Sequence, residues 1–428
     1  MTFRSLVMEL DTPTQPVPQS GVVWSDDQSI ADFQTDLSVS LNDLGTNTAN
    51  RDLVRIAVAV FLADRAFRRP RSWRRNIKVT VPVEVEEKRT WTAAIGDLER
   101  LLGFLTGDRW QIELVSVELN RSSATPSHCD SEQYMLLSGG ADSLSGALTL
   151  ATADQTCFVS RTDVGQPAAR RQLHRLWRAD VSCVSRKVNP RSSATRGLVG
   201  REPTSRSRSL LFFALGLLIA STKEAPLLVP ENGFASLNVP LVPERTGSHS
   251  TRTTHPRYIH QLRGCLEAVG AHADLSNPYA DYTKGEMFSA VAKKWGPQEA
   301  STALSASFSC AKRSGLRVPK PKKGTNHCGL CYGCLVRRAA FHAAGLTDHT
   351  LYYANPHDEV GEPGRWHTAA QRVDIAAFQF AVAAANRPAG AADIKANLAA
   401  SRLPSGSSYA DAVDLVKRGL DEIAQILP

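Results

Sequence analysis

The chain is predicted to be an α/β protein centred on a doubly wound parallel sheet. An N-terminal α+β unit precedes that sheet, and a cysteine-rich segment and a helical C-terminal extension follow it. Three observations predict this. Between Gln133 and Pro230, short apolar runs alternate with segments of helical period, a rhythm that requires crossover helices and parallel strands. A Ser-Gly-Gly turn joins the first of those strands to its helix. After Ala339 the chain becomes Ala-rich and helical, broken by Pro and Gly. The composition supports a folded chain of two to three domains: 428 residues, 42% hydrophobic and 21% charged.

In order along the chain, residues 1–24 are polar and contain three prolines, so an extended arm with a short strand is expected. Asp52 to Phe67 places Leu53, Ile56, Val60 and Phe61 on one helical face. Ile77 to Val83 alternates as a strand, and Pro82 within it predicts a sheet edge. Thr90 to Leu105 is a second amphipathic helix, and Trp110 to Leu119 a second alternating strand. These elements form the accessory domain expected over residues 1–125, with a linker at Ser122–Ser127. The central domain is expected over 132–345. Its strands are Gln133–Leu137, Thr156–Ser160, Val181–Val188 and Pro226–Pro230, and its helices are Asp142–Ala153, Pro167–Arg178 and Arg206–Thr222. The extension, 346–428, is expected to hold helices at Ile375–Ala385, Ala391–Ala400 and Tyr409–Ile426.

The longest apolar run, Leu210 to Ala220, has 11 residues, against the roughly 20 that a membrane span needs. No apolar signal segment follows Met1, so a cytoplasmic protein without a membrane partner is expected. The net charge is +8, unevenly spread: Arg161 to Arg208 holds 11 Arg and one Lys against three acids, and a second cluster runs from Arg65 to Lys78. Such fields attract phosphates or polyanions, but an Arg-rich solvated face has the same signature, so nucleic-acid binding stays open.

Two motifs carry chemistry. Ser138-Gly139-Gly140-Ala141-Asp142-Ser143 lies between a strand and a helix. Backbone N–H groups at a helix start attract anions, and two glycines let them approach closely. Ser138 and Ser143 add hydroxyl donors, while Asp142 either caps the helix or holds Mg²⁺. No Gly-Lys-Ser/Thr follows, so this is not a Walker A loop, and the G-x-G-x-x-G spacing is absent. The second motif is Cys310-x17-Cys328-x2-Cys331-x2-Cys334. Four thiolates make a closed tetrahedral Zn²⁺ site, structural rather than catalytic. An Fe–S cluster takes the same ligands. Lys322, Lys323, Arg337 and Arg338 would favour thiolates, and His327 is a substitute ligand. Cys129, Cys157, Cys183 and Cys265 are scattered and expected in the core.

At Ser138–Ser143 the chain resembles the PP-loop ATP pyrophosphatases, whose fold is the Rossmann-like HUP type. With the cysteine spacing downstream, the Arg208-Ser209-Leu210 helix start and Pro278…Thr283-Lys284-x-Glu286, it resembles the QueC group, the 7-cyano-7-deazaguanine synthases. The resemblance covers about 132–345, roughly half of the chain. It implies ATP on Ser138, Gly139, Gly140, Ala141, Asp142 and Ser143, with Mg²⁺ at Asp142. It implies a catalytic set of Asp142, Ser143, Arg208 and Lys284, with zinc on the four cysteines. Ser209 stands where the group has Asn, and the flanking regions exceed a typical QueC.

The tract from Glu231 to His255 replaces the one that caps the QueC pocket. Its length suggests a lid. Glu231, Asn232, Arg252, Thr253 and His255 are the candidate contacts to a guanine-like ring. Arg252 either neutralises an anion or lies on the surface, and His255 is either a general base or a turn residue. This combination resembles the QueC-like proteins of bacterial antiphage defence, the QatC component of Qat systems most closely, with a related branch in type IV CBASS operons. That resemblance implies activation of a 7-carboxy-7-deazaguanine-type carboxylate, then amide formation with an amine of a partner protein from the same operon. The alternatives are the nitrile synthase that uses ammonia and a nucleotide-binding scaffold without catalysis.

Overall fold

The computed structural model describes residues 3–10, 21–25, 32–37, 41, 45–70, 73–84, 88–117, 130–161, 166–190, 202, 204, 206–243, 252–310, 327–358 and 372–428. The N-terminal unit comprises β1 (Arg4–Leu10), β2 (Gly21–Trp24), β3 (Phe33–Thr35), α1 (Thr48–Ala66), β4 (Asn76–Glu84), α2 (Lys88–Thr106) and β5 (Arg109–Val117). Its sheet has the order β2-β1-β4-β5 and is wholly parallel. The α+β expectation is therefore corrected to α/β. A helix as long as α2 between two adjacent strands is a crossover, and a crossover makes the pair parallel. The edge placement of Pro82 is also corrected, because β4 is an inner strand. The backbone N–H of Glu84 donates to Asp52 rather than to β5. Residues two apart on a strand aim their N–H groups the same way, so Pro82 nitrogen also faces away from β5. On that side β1 pairs only Ile77–Thr80, so the proline costs no ladder bond.

Helix α1 begins at Thr48, four residues before the expected start, because the Asn47 side chain accepts from Asn50 N at 3.2 Å. The linker at 122–127 lies outside the described residues.

The central unit runs β6 (Gln133–Leu136), α3 (Ala141–Leu150), β7 (Thr156–Arg161), α4 (Gln166–Trp177), β8 (Cys183–Arg186), β9 (Val188–Pro190), α5 (Arg208–Ala220), β10 (Leu227–Leu228), α6 (Gly233–Leu237), α7 (Pro256–Ala268), β11 (Leu275–Ser276), α8 (Lys284–Trp295), α9 (Pro297–Ser305) and α10 (Tyr332–Ala343). The extension carries α11 (Val373–Ala385), α12 (Gly390–Ser401) and α13 (Tyr409–Ala424). The single strand expected over 181–188 breaks at Lys187, and β9 turns away to pair antiparallel with β3.

The central sheet has the order β11-β10-β6-β7-β8, all parallel. The chain moves outward from β6 through β7 to β8, then returns to the other side of β6 as β10 and β11. The reversal falls between β6 and β10. Open α/β sheets bind ligands at that switch point, outside the carboxyl ends of the strands.

Helix α5 is buried from Ser209 to Ala220, as a helix that is apolar on every face must be. It packs on β6, β7 and β10 and, on its other side, on α1, which in turn covers β1 and β4. One continuous apolar cluster therefore joins the two sheets, from Leu6 and Val79 through Val58 and Leu217 to Leu227. A second cluster on the opposite side joins Met135, Leu144 and Phe158 to Phe288 and Phe341. A third ties α11, α12 and α13 to Phe234 and Leu335.

Candidate functional site

The Ser138–Ser143 loop leaves β6 at the switch point. Gly139 has φ +82°, a left-handed conformation that favours glycine. Gly140 is the N-cap of α3 and provides no side-chain cap, so the N–H groups of the first turn remain available to a ligand. The Ser138 and Ser143 hydroxyls lie 3.1 Å apart, and Ser143 Oγ donates to Gly140 O at 3.1 Å. Phe308 N donates to Gly139 O at 3.0 Å, which ties the loop to the segment that enters the cysteine cluster.

Asp142 sits in the first turn of α3 and is 7% exposed. Its Oδ2 accepts from Lys284 Nζ at 2.9 Å and from Asn232 Nδ2 at 3.3 Å. Its Oδ1 is buried and has no hydrogen-bond partner among the described residues. Lys284 is the first residue of α8, where Thr283 and Glu286 form a reciprocal capping box. Asn232 caps α6 through Oδ1, which accepts from Ala235 N at 2.8 Å. The expected 25-residue lid is therefore partly a helix, and Asn232 spends both ends of its amide inside the protein. Residues 244–251 of that tract lie outside the described residues.

Glu231 follows β10. Burial pushes its carboxyl well above the usual carboxylate range, and the Asp142 carboxylate, within hydrogen-bond reach, adds to the shift. Two carboxyl groups thus face each other beside an ammonium and the loop. Burial likewise raises the Tyr332 phenol, with the charges of Glu231 and Asp142 adding to it. That ring stacks on Phe234 and Phe378. The unpartnered Oδ1 and its carboxyl neighbour are hard oxygen donors of the kind Mg²⁺ takes.

The remaining candidates lie elsewhere. Arg208 opens α5, is exposed, and its guanidinium lies 5.9 Å from the Phe212 ring. Arg252 donates to Phe104 O at 3.1 Å and lies over the Phe104 ring at 4.4 Å. His255 caps α7: its Nδ1 accepts from Arg257 N at 3.1 Å and its ring meets Phe104 edge-on. Burial, then Arg252 and Arg257, lower the imidazole to about 3, so it is neutral at ordinary pH. Thr253 is half-buried in the turn between them. Arg252 and His255 thus contact α2, and neither has a described contact with the Asp142 cluster.

The four cysteines converge. Their Sγ atoms all lie within 4.8 Å of one another, and all four residues are buried. Cys328 N points to Cys310 Sγ at 3.4 Å and Cys331 N to Cys328 Sγ at 3.3 Å. Sulfur–sulfur hydrogen bonding, from Cys328 first, lowers Cys310 to about 7. Four soft donors at this separation fit a tetrahedral metal such as zinc. His327 is not required as a ligand: its Nε2 accepts from Ser309 N at 3.1 Å. Arg337 is buried and donates to Ser307 Oγ, Leu304 O and Thr350 Oγ1, which fixes the lead-in to Cys310. Lys322 and Lys323 lie outside the described residues.

Sequence reasoning missed two residues of this neighbourhood. Asn277 clamps the Glu231 backbone, accepting from Glu231 N at 3.2 Å and donating to Glu231 O at 2.8 Å. Its signal was an Asn directly after a strand and before Pro278. Tyr332 lies between two cysteines, whose ligand spacing gives the residue between them no signal of its own.

Parts of the chain are similar to curated 7-cyano-7-deazaguanine synthases. The Sinorhizobium fredii protein is 33% identical over 93 residues, 22% of this chain and 30% of that protein. The Brucella anthropi protein is 28% identical over 150 residues, 35% of this chain and 53% of that one. The Agrobacterium fabrum protein is 29% identical over 150 residues, 35% of this chain and 52% of that one. The chain spans about half the length, or less, of these relatives. No family model matches the chain, and no solved structure matches it. About a third of the chain, at most, is thus similar in sequence to these 7-cyano-7-deazaguanine synthases.

Proposed function

We propose that the chain activates a 7-carboxy-7-deazaguanine-type carboxylate with ATP and joins it to an amine of a partner protein, in bacterial antiphage defence. One observation carries the first half: Asp142, Glu231 and Lys284 gather beside a glycine-rich helix start at the switch point of a parallel sheet. The loop amides, the Ser138 and Ser143 hydroxyls and the Lys284 ammonium receive the phosphates. Asp142 and Glu231 would hold Mg²⁺, which supplies charge neutralisation on the departing pyrophosphate. Arg208, exposed at the start of α5, is proposed to meet the same anion from solvent.

The substrate carboxylate oxygen attacks the α-phosphorus of ATP, the α–β bridging P–O bond breaks, and pyrophosphate leaves with that electron pair. The amine then attacks the acyl carbon, the acyl–oxygen bond to AMP breaks, and the amine loses a proton. A cavity of about 340 Å³ shares Phe234 and Tyr332 with the surroundings of this cluster, but Asp142, Glu231, Lys284 and the loop do not line it.

The second reading is the nitrile synthase activity named for the curated relatives. It differs in nucleophile and in a second activation: ammonia gives a primary amide, whose oxygen must itself be adenylated before a nitrile forms. The test incubates the chain with Mg²⁺, ATP and 7-carboxy-7-deazaguanine, plus ammonia or the proteins encoded beside it. Release of AMP and pyrophosphate, with a partner gaining the mass of the acid minus water, is expected. A free nitrile favours the second reading, and no AMP with either nucleophile overturns both.

A further inference from the structure

Both groups that hold Asp142 Oδ2 stand at helix starts: Asn232 caps α6, and Lys284 opens α8. Both helices are touched by α13, from the far end of the chain. Leu415 of α13 reaches the backbone at Gly233, and Gly419 admits the Phe234 ring of α6. On α8 the contact is polar. The Glu422 carboxylate accepts from the Thr283 hydroxyl through Oε1 and from Gly285 N at 3.2 Å through Oε2. A Cβ on Gly285 would stand 2.4 Å from Glu422 Oε1 and 2.9 Å from Ala343 Cβ, so glycine leaves the carboxylate room to reach the amide. Arg418, one turn earlier, pairs with Glu286 and donates to Asp281 O at 3.1 Å. The two donors to Glu422, the Thr283 hydroxyl and Gly285 N–H, thus bracket Lys284 in the chain.

We propose that Glu422 is a positioning residue for the phosphate site. By holding Thr283 and Gly285 it fixes the first turn of α8 so that Lys284 stays on Asp142 Oδ2, leaving Oδ1 for a cation. The physical basis is one side chain of the right reach accepting from two helix-start donors at once, which orients a turn more firmly than packing alone. The inference rests on the proposed function only for the identity of the ligand; the placement of Lys284 is a property of the ligand-free chain.

The test labels the full, ligand-free chain with limiting acetic anhydride and measures acetylation of Lys284 relative to exposed Lys293 on the same helix. Glu422→Ala is expected to raise the Lys284/Lys293 ratio about tenfold, through loss of the two hydrogen bonds that hold the first turn of α8. Glu422→Asp keeps the charge but loses the reach, and is expected to raise it about threefold by the same argument. Glu422→Gln keeps an acceptor for Gly285 N and is expected to stay within about twofold of wild type. Asp421→Ala, on the exposed side of α13, should leave the ratio unchanged. A wild-type ratio in a folded Glu422→Ala, or an equal rise in Asp421→Ala, overturns the proposal. If Glu422→Ala does not fold, Glu422→Asp against Glu422→Gln decides: equal ratios overturn it. If the ratio shifts as expected while the wild-type chain releases no AMP, the positioning role stands and the proposed function falls.

Discussion

Asp142 has one carboxylate oxygen committed to Lys284 and Asn232 and one with no described donor. Asp142→Asn keeps the size and removes the charge. It is expected to lower AMP release about a hundredfold or more, by loss of the cation that screens the pyrophosphate. It should also abolish the Mg²⁺-dependent rise in Tm that ATP is expected to give the wild type; an unchanged rate would remove Asp142 from the chemistry. His255 leads to a different expectation. Its folded-state value is about 3, lowered first by burial, while the unfolded imidazole titrates near ~6.5. Below ~6.5 the unfolded chain takes a proton that the folded chain refuses, so this residue costs stability as pH falls from there towards 3. At pH ~5 the cost is about 2 kcal/mol. His255→Asn can still cap α7 and should flatten that slope in urea titrations at pH 5 and 7, with little loss of AMP release. A slope identical to wild type would contradict the burial argument. The Ser138–Ser143 turn between β6 and α3 was legible because its spacing is local. Arg252 and His255 were named for the chemistry of their side chains, and the structure places them against Phe104 because packing of α7 on α2, a contact between distant segments, sets their direction.

Residues 307–310 and 327–353 act together around the cysteines. Arg337 holds Ser307 and Thr350, His327 holds Ser309, and Phe308 N holds Gly139 O in the loop. A metal on the four thiolates would therefore brace the loop from behind. Structural zinc contributes roughly 10–16 kcal/mol of apparent binding energy, far more than the few hydrogen bonds that depend on it. One zinc per chain is expected by elemental analysis. Cys331→Ser should lose it, lower Tm, and increase amide exchange at Gly139–Ser143 as well as around Cys310. Loss of zinc with unchanged exchange at the loop would show that the Phe308 contact is not mechanical. Most elements were legible from periodicity, including α3, α4 and the three helices of the extension, whose ends agree within a few residues. The misreadings have physical causes. Alternation in Ile77–Val83 cannot distinguish parallel from antiparallel pairing, and a proline is excluded from an inner strand only where its nitrogen would face a paired neighbour, which that of Pro82 does not. Glu422 carried no local signal, because its partners lie 137 and 139 positions away.

The two sheets share their interior. Helix α1 is buried against β4 on one side and α5 on the other, and α5 covers the central sheet. Polar contacts reinforce the junction: fully buried Asp64 accepts from Ser207 Oγ at 2.7 Å and pairs with Arg75. The Trp73 ring has Arg69 at 4.2 Å and Arg206 at 4.5 Å, and burial, then Arg69, lowers Arg206 to about 10. Part of the arginine excess between Arg161 and Arg208 is therefore spent on internal contacts, Arg161 itself donating to Val188 O at 3.2 Å. An arrangement in which residues 1–125 are a separable accessory domain makes a clear statement: a chain starting at residue 130 should fold and keep the site. The shared core argues otherwise. Removing α1 uncovers one side of an all-apolar helix. Exposing even three of its large side chains costs about 6 kcal/mol at ~2 kcal/mol each, on the order of the total stability of a domain. The intact chain is thus expected to unfold in a single calorimetric transition across both sheets. The fragment 130–428 is expected to be insoluble or to bind a hydrophobic dye strongly. A soluble 130–428 fragment with a cooperative transition, and with pyrophosphate release equal to that of the full chain, would show that the α1–α5 layer is an interface between independent domains.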